Sequence, residues 1–474
     1  MAPSYVERAI SFDSIRISNP TILENSIRGD ITVTSGGSAK TFRLIFTYSE
    51  PVAVDERIAG LILTMPVINF TYFARELRLD FPIGAADLDL LRNFLKVNAR
   101  EVFINKICRR RYEFIRKEYI PADSDINASN SDGMTEVIAH VSAQGNYNMR
   151  GDKKTSAVLS SGGKESLLSY GTLKEIGERT FSFFFNESGG HWITAKTSYD
   201  YFSANFRDVL KAWSNVDRFY KFMQRQVKIL DQVAVTRWAD TYPLQLFIFP
   251  VYIFALIPFM IKHSISSVYI GDEFDDPREM PEFHGLKHYY GIFDQSLDFN
   301  KLMSKYFTSI GIDAVLTSAV YPISGNMVEK ILLQRYPDLF SLQRSCHSCH
   351  YENGKIVPCG RCSKCLGIQM FVRAAGGDPA KIGYESISIE ELHRRVMSER
   401  MRLDSDELSY MKSMLFDNNE PRVSHVTGIH ILPGEKRPGE LMPEHVRNKI
   451  VEIIQKYTDG KFSLVNGEWL LSEH

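Results

Sequence analysis

Net charge is the first thing this 474-residue sequence lacks: 56 Lys plus Arg stand against 57 Asp plus Glu, a formal charge of -1. With no global field to draw in nucleic acid or an anionic membrane, any such partner must be held locally. Long hydrophobic runs are missing too. The longest uncharged apolar stretch covers 246–261 and is broken by Pro250 and Pro258. It falls short of the ~20 residues a spanning helix needs, so it reads as a buried core helix and no membrane partner is expected. The start, Met1-Ala-Pro-Ser-Tyr-Val-Glu-Arg8, has no basic-then-apolar secretory pattern, which makes a cytoplasmic protein the expectation. Cysteine is scarce, and five of the six fall between Cys346 and Cys365. In a reducing compartment that clustering points to a metal, not to disulfides. The sequence shows no internal repeat and no low-complexity tract.

What is present is 44% hydrophobic content, enough for a sizeable core, in a length that at ~150 residues per domain suggests two or three domains. Residues 1–120 carry alternating runs, Asp30-Ile-Thr-Val-Thr34 and Thr41-Phe-Arg-Leu-Ile-Phe-Thr-Tyr48, and helical stretches including Asp87-Leu-Asp-Leu-Leu-Arg-Asn-Phe-Leu95. This predicts an N-terminal α+β domain. Residues 121–154, rich in Ser, Asn, Asp and Gly, read as a linker or long surface loop. Across 155–385 strands alternate with helices: Ala157-Val-Leu159, a helix from 164 to about 178, Phe181-Ser-Phe-Phe-Phe185, helical stretches over 197–262, Ser267-Val-Tyr-Ile-Gly271, Asp313-Ala-Val-Leu316 and a helix near 325–335. That rhythm predicts an α/β unit with a parallel sheet covered by helices. Residues 386–474 are expected to form a helical C-terminal extension, with a capping box at Ser388-Ile-Glu-Glu391 and a last helix starting at Pro443.

Ser161-Gly-Gly-Lys-Glu-Ser166 lies between the first of these strands and its helix. A parallel sheet binds ligands there: glycines let backbone N–H groups close on an anion, and the helix dipole favours phosphate. The spacing is neither a Walker A loop nor a dinucleotide fingerprint. It resembles the PP-loop of the ATP pyrophosphatase family, Ser-Gly-Gly-x-Asp-Ser, whose members cleave ATP between the α and β phosphates. The match holds at Ser161, Gly162, Gly163 and Ser166, and Glu165 stands where that family usually has Asp. The resemblance implies the adenine nucleotide alpha-hydrolase-like fold, with Ser161, Gly162, Gly163, Lys164, Glu165 and Ser166 binding ATP. Glu165 has two readings, a Mg2+ group beside the phosphates or a stabiliser of the first helical turn.

Cys349-x9-Cys359-Gly-Arg-Cys362-Ser-Lys-Cys365 offers four thiolates at spacings that close a tetrahedral zinc site. Cys346 is a fifth thiol, and Cys346-x2-Cys349 with Cys362-x2-Cys365 would be a zinc-ribbon set. A redox pair or an iron–sulfur cluster also stays open. Lying downstream of a PP-loop, the segment 346–365 is similar to the terminal zinc motif of the 7-cyano-7-deazaguanine synthases of queuosine biosynthesis. This resemblance spans roughly 157–375 and implies Cys349, Cys359, Cys362 and Cys365 as Zn2+ ligands, with Cys346 outside. The Tyr-Ser-Gly-Tyr-Pro-Asp type stretch of that family is absent, and the acidic Gly271-Asp-Glu-Phe-Asp-Asp276 takes its place. The sequence therefore looks like a divergent branch, of the kind also found in bacterial antiviral defence operons.

The resemblance implies an ATP-dependent carbon–nitrogen ligase that uses ATP and Mg2+ to adenylate 7-carboxy-7-deazaguanine or a similar acid. A carboxylate resists attack because it is already anionic, and the mixed anhydride with AMP removes that obstacle. The acceptor is ammonia, giving an amide that a second ATP-driven step dehydrates to 7-cyano-7-deazaguanine, or a protein amine, stopping at the amide. Lys164, Glu165 and Asp272 are the expected catalytic residues, the first two at the departing pyrophosphate and Asp272 toward magnesium or the amine. For Asp272 a helix-capping or solvated-loop role competes. A homodimer is implied, and the N-terminal domain is a candidate seat for a partner protein.

Two other classes stand beside this one: a PP-loop tRNA-thiolating enzyme, and a non-catalytic zinc and nucleotide-binding module. Arg109-Arg-Arg111 with Arg116 and Lys117, near Tyr112 and Phe114, reads as a solvated helix face or a contact for RNA or an acidic partner. Phe183-Phe-Phe185 reads as core, whereas 186–192, ending at Trp192, is a candidate for base contacts. His347 and His350 read as neighbours of the cysteines, not ligands.

Overall fold

The computed structural model describes residues 3–109, 113–142, 145–237, 243–273, 282–346, 348–401, 403–416 and 423–472. Eleven strands form one large sheet: β1 (Phe12–Ile17), β2 (Thr21–Leu23), β3 (Ser26–Ser35), β4 (Ser38–Tyr48), β5 (Ala74–Leu79), β6 (Glu136–Ile138), β7 (Asp152–Leu159), β8 (Arg179–Asn186), β9 (Val209–Ser214), β10 (Ile265–Ile270) and β11 (Val315–Ser318). Their order is β11-β10-β7-β8-β9-β4-β3-β1-β5-β6, with β2 hanging on β3. The half from β11 to β9 is parallel throughout. The protein is thus α/β, with a mixed, mostly parallel sheet covered by helices.

Residues 1–120 belong to that same sheet. β4 pairs antiparallel with β9 through Phe46 opposite Ser214 and Tyr48 opposite Ala212. β9 falls inside the stretch 197–262 expected to be helical, so that expectation is corrected there: Val209-Leu-Lys-Ala-Trp-Ser214 alternates between half-buried and buried positions, the period of a strand with two unlike faces. Within 121–154 the segment Glu136–Ile138 is a strand, pairing parallel with β5 at the far edge.

β7 and β8 are sandwiched, and their residues divide between two cores. Ala157, Leu159, Phe181 and Phe183 enter an apolar cluster shared with the N-terminal residues and the helix Phe249–His263, whereas Val158 and Phe184 enter a second one. The second cluster is built with the helices Lys164–Glu175, Gly325–Arg335 and Ser363–Ala374 and with the C-terminal residues. Strands covered on both faces read as continuous apolar runs, as Ala157-Val-Leu159 does. Phe249–His263 is the buried core helix expected at 246–261; the Asp294 carboxylate accepts from the N–H groups of Ile248 and Phe249, at 2.8 and 3.0 Å. No helix among the described residues is long and apolar enough to cross a membrane.

The tail is only partly helical. Helices Ile389–Ser398, capped by Ser388, and Glu444–Gln455, preceded by Pro443, form where expected. Three further strands were not: β14 (Ile429–Ile431), β15 (Lys461–Val465) and β16 (Glu468–Leu471) make a small sheet. The hairpin β15–β16 turns at Asn466-Gly467, both at positive φ (52° and 84°), the pairing a two-residue hairpin turn demands.

Candidate functional site

The chain runs β7, β8, β9 outward in one direction, then returns to place β10 on the other side of β7. Such a reversal leaves a crevice outside the carboxyl ends of the two strands where it occurs, and open α/β sheets bind ligands there. Here the crevice is flanked by the turn after β7, residues 160–163, and by Gly271, Asp272 and Glu273 after β10. The loop after β10 closely approaches the first turn of the helix Lys164–Glu175, since a Cβ on Gly271 would lie 2.9 Å from Cβ of Glu165.

The turn has the expected strand–turn–helix setting, leading directly into the helix Lys164–Glu175. Gly162 sits at φ +77°, and a Cβ there would meet Ser198 Oγ at 2.5 Å and the Thr194 carbonyl at 3.2 Å. Glycine takes that conformation and fits that gap without strain, which a residue with a Cβ would not. Gly163 is the extended N-cap, whose N–H donates to Ser161 Oγ at 3.4 Å, and Ser166 Oγ donates to the Gly163 carbonyl at 3.1 Å. Ser161, Gly162, Gly163 and Ser166 are therefore drawn together.

Lys164 takes a less expected course. Its side chain is buried, its Nζ donates to the carboxylates of both Glu165 and Glu273, and it lies 5.4 Å from the centre of the Phe371 ring. Burial alone would lower its pKa, but the two carboxylates outweigh it and hold the ammonium well above its ordinary range. Burial raises Glu165, and Lys164 overturns that, keeping its carboxyl below its usual value.

Asp272 is neither solvated nor a helix cap. It is fully buried; its Oδ2 accepts from Tyr321 Oη at 2.8 Å and Asn300 Nδ2 at 3.0 Å, and its carbonyl accepts from Ser318 Oγ at 2.7 Å. Burial pushes its pKa well up, against those two side-chain bonds, and the nearby Asp294 and Glu273 add to the rise. It anchors the loop after β10 to β11 and its neighbours. Phe274, Asp275 and Asp276 of the acidic stretch lie outside the described residues.

One acidic residue was missed. Glu329, on Gly325–Arg335, is fully buried; its Oε2 accepts from Gln343 Nε2 at 3.0 Å, and Oε1 has no hydrogen-bond partner among the described residues. Burial pushes it up to about 7, opposed by the Gln343 bond and by Lys164, whose field it feels. The signal available was a lone Glu beside Met327, Val328, Ile331 and Leu332, on a helix whose face is buried.

All six cysteines are free thiols, and four meet: the Sγ atoms of Cys346, Cys359, Cys362 and Cys365 all lie within 4.8 Å of one another. The set corrects the one expected, because Cys346 occupies the place given to Cys349. Both sets left open by the sequence included Cys349; here Cys346 joins Cys359, Cys362 and Cys365 instead, its Sγ accepting from the N–H groups of Ser348 and Cys359 at 3.3 and 3.4 Å. Cys349 instead leads into the hairpin β12 (His350–Glu352) and β13 (Lys355–Val357). Cys362 caps the helix Ser363–Ala374, its Sγ accepting from Cys365 N–H at 3.4 Å. The Cys359–Cys365 Sγ separation is 3.6 Å, close to the ~3.8 Å between sulfurs around a tetrahedral zinc with Zn–S bonds of about 2.3 Å. The four cysteines can hold a metal ion such as zinc, and four sulfurs leave no open position.

The remaining candidates have other surroundings. His350 is exposed on β12, and His347 lies outside the described residues. Trp192 packs on Tyr199, with Lys211 Nζ 4.8 Å from its ring centre. Arg109 lies over Tyr290 and Arg116 donates to the Leu230 carbonyl, so both have structural partners; Arg110, Arg111 and Tyr112 lie outside the described residues. No protein-family model matches the chain, and neither a curated protein nor a solved structure matches it.

Proposed function

We propose that this chain is an ATP-dependent carbon–nitrogen ligase of the 7-cyano-7-deazaguanine synthase type. It adenylates the carboxylate of 7-carboxy-7-deazaguanine or a similar acid and passes the acyl group to an amine. The observation that carries this reading is the seat of Ser161-Gly-Gly-Lys-Glu-Ser166: a glycine turn at the carboxyl end of β7, at the point where the strand order reverses. The first turn of a helix leaves backbone N–H groups without intrahelical partners, which suits them to a pyrophosphate.

Lys164 has a defined part in this reading. Between Glu165 and Glu273 its charge is already neutralised. Arrival of ATP with Mg2+ offers the carboxylates a cation and the ammonium an anion, so partners exchange without leaving a buried charge alone. In this reading Glu165 and Glu273 would hold Mg2+, which would offset charge on the phosphates. Asp272 acts at a distance, keeping Glu273 in position through its bonds to Tyr321, Asn300 and Ser318. The metal held by the cysteines is structural, and Zn2+ suits it.

The reading is tested by incubating the protein with Mg-ATP and 7-carboxy-7-deazaguanine, with and without ammonium, and scoring products by mass spectrometry. AMP together with the nitrile is expected if ammonia is the acceptor. AMP or an acyl-adenylate without nitrile assigns the transfer to another amine, on a protein. No AMP under either condition removes the deazaguanine acid as substrate.

A further inference from the structure

The cysteine cluster and the glycine turn are far apart in sequence and joined in space by four consecutive residues. Gln343 Nε2 donates to Glu329, the Arg344 N–H donates to the Gly162 carbonyl at 2.9 Å, and Cys346 enters the metal set two residues later. The Arg344 side chain fastens the other end: Nε donates to the Ile356 carbonyl at 2.9 Å and Nη1 to the Gln343 carbonyl at 2.7 Å. Ile356 lies in β13, three residues before Cys359. One arginine thus ties the Gly162 carbonyl to both chain segments that deliver sulfur.

A second link runs through the helix His191–Asn205. Thr194 Oγ1 donates to the Cys346 carbonyl at 2.7 Å, while the Thr194 carbonyl and Ser198 Oγ are the atoms that crowd the Cβ position of Gly162. The wall against which the turn rests is therefore itself pinned to a metal-binding residue.

We infer that metal in the cysteine cluster is a brace for the nucleotide turn, with Arg344 as the positioning residue that transmits it. Four thiols within 4.8 Å are joined by no disulfide, and ionised ones repel unless a cation lies among them. With metal, residues 343–346 are fixed and Arg344 presents its N–H to Gly162; without it, that hydrogen bond and the Thr194 contact loosen together. Nucleotide binding then depends on an ion that never touches the nucleotide. The ligand side of this inference rests on the proposed ATP reading, whereas the bracing of the turn does not.

The experiment compares full-length protein loaded with Zn2+ and stripped by chelator, reading Mg-ATP affinity by calorimetry and backbone hydrogen exchange at 160–166. Stripping is expected to weaken Mg-ATP at least tenfold and to raise exchange at 160–166, with Zn2+ restoring both. Loaded protein that binds no ATP would defeat the nucleotide reading, and exchange at 160–166 would still judge the brace. Unchanged exchange and affinity in stripped, folded protein would overturn it. Should stripping unfold the chain, Arg344→Ala in Zn2+-loaded protein decides. That variant is expected to keep its metal and its circular dichroism, bind Mg-ATP several-fold more weakly and exchange faster at 160–166. Arg344→Lys, which keeps one donor for the Ile356 carbonyl, should recover part of the loss. An Arg344→Ala protein with wild-type affinity and exchange would sink the inference.

Discussion

Cys346 and Cys349 differ by one turn of chain and have opposite expected fates. Cys346→Ser removes one of four clustered sulfurs, so purified protein should lose most of its bound metal by elemental analysis, whereas Cys349→Ser should retain it. Equal retention would return Cys349 to the ligand set. At Glu329 the expectation concerns pH. Its folded pKa of about 7 lies above the unfolded value of about 4.3, so the native state holds a proton that the unfolded chain has released. That contribution is fully present below about pH 4 and is lost as pH rises to about 7, on the order of 3 kcal/mol for this one group. Glu329→Gln, which cannot ionise, should unfold at higher denaturant than wild type at pH 7.5, with the gap closing toward pH 5. A constant gap would mean that Glu329 is ionised in the folded protein. These residues show the limit of reading by type. Cysteines announce a metal, but which four meet depends on the path of a hairpin, and a burial shift such as that of Asp272 or Glu329 exists only after packing.

Local signals carried the elements well. Strand, turn and helix around Ser161-Gly-Gly-Lys-Glu-Ser166 were legible because apolar run, glycines and helix start are contiguous in sequence. The same logic makes Gly162 testable: Ala there must adopt φ +77° with its Cβ at 2.5 Å from Ser198 Oγ. The left-handed conformation alone costs about 1–2 kcal/mol. Gly162→Ala is expected to lower the melting temperature by several degrees and Mg-ATP affinity by more than tenfold in calorimetry. Wild-type binding would take the turn out of the site. Several short strands escaped, among them β6, β9 and the three of the tail. β9 is a six-residue strand between helices, and its alternation is short enough to pass for one turn of helix. The β15–β16 hairpin was available in Asn466-Gly467, flanked by Phe462-Ser-Leu-Val465 and Glu468-Trp-Leu-Leu471, a local signal overlooked beside the helical periodicity of 444–455.

At the scale of the molecule, what no local pattern reveals is strand order, and strand order makes the site. The crevice exists because β10 returns beside β7, a long-range choice set by which faces are apolar on several elements together. The same holds for the join at β4 and β9, which carries the sheet out of the parallel half and into residues 1–120. Phe46 is fully buried in that join and packs on Phe185 of β8, ring centres 6.0 Å apart. One apolar cluster includes Tyr5, Phe46, Phe183 and Leu316, so the first 120 residues and the strands that position the glycine turn should unfold as a unit. Phe46→Ala is expected to cost about 3–5 kcal/mol. In native-state hydrogen exchange across a denaturant series, that loss should appear equally at amides of β3 and of β7. A loss confined to β3, with β7 protected as in wild type, would mean two separately stable halves. Equal loss would mean that the glycine turn stands on a core half of which is supplied by the N-terminal residues.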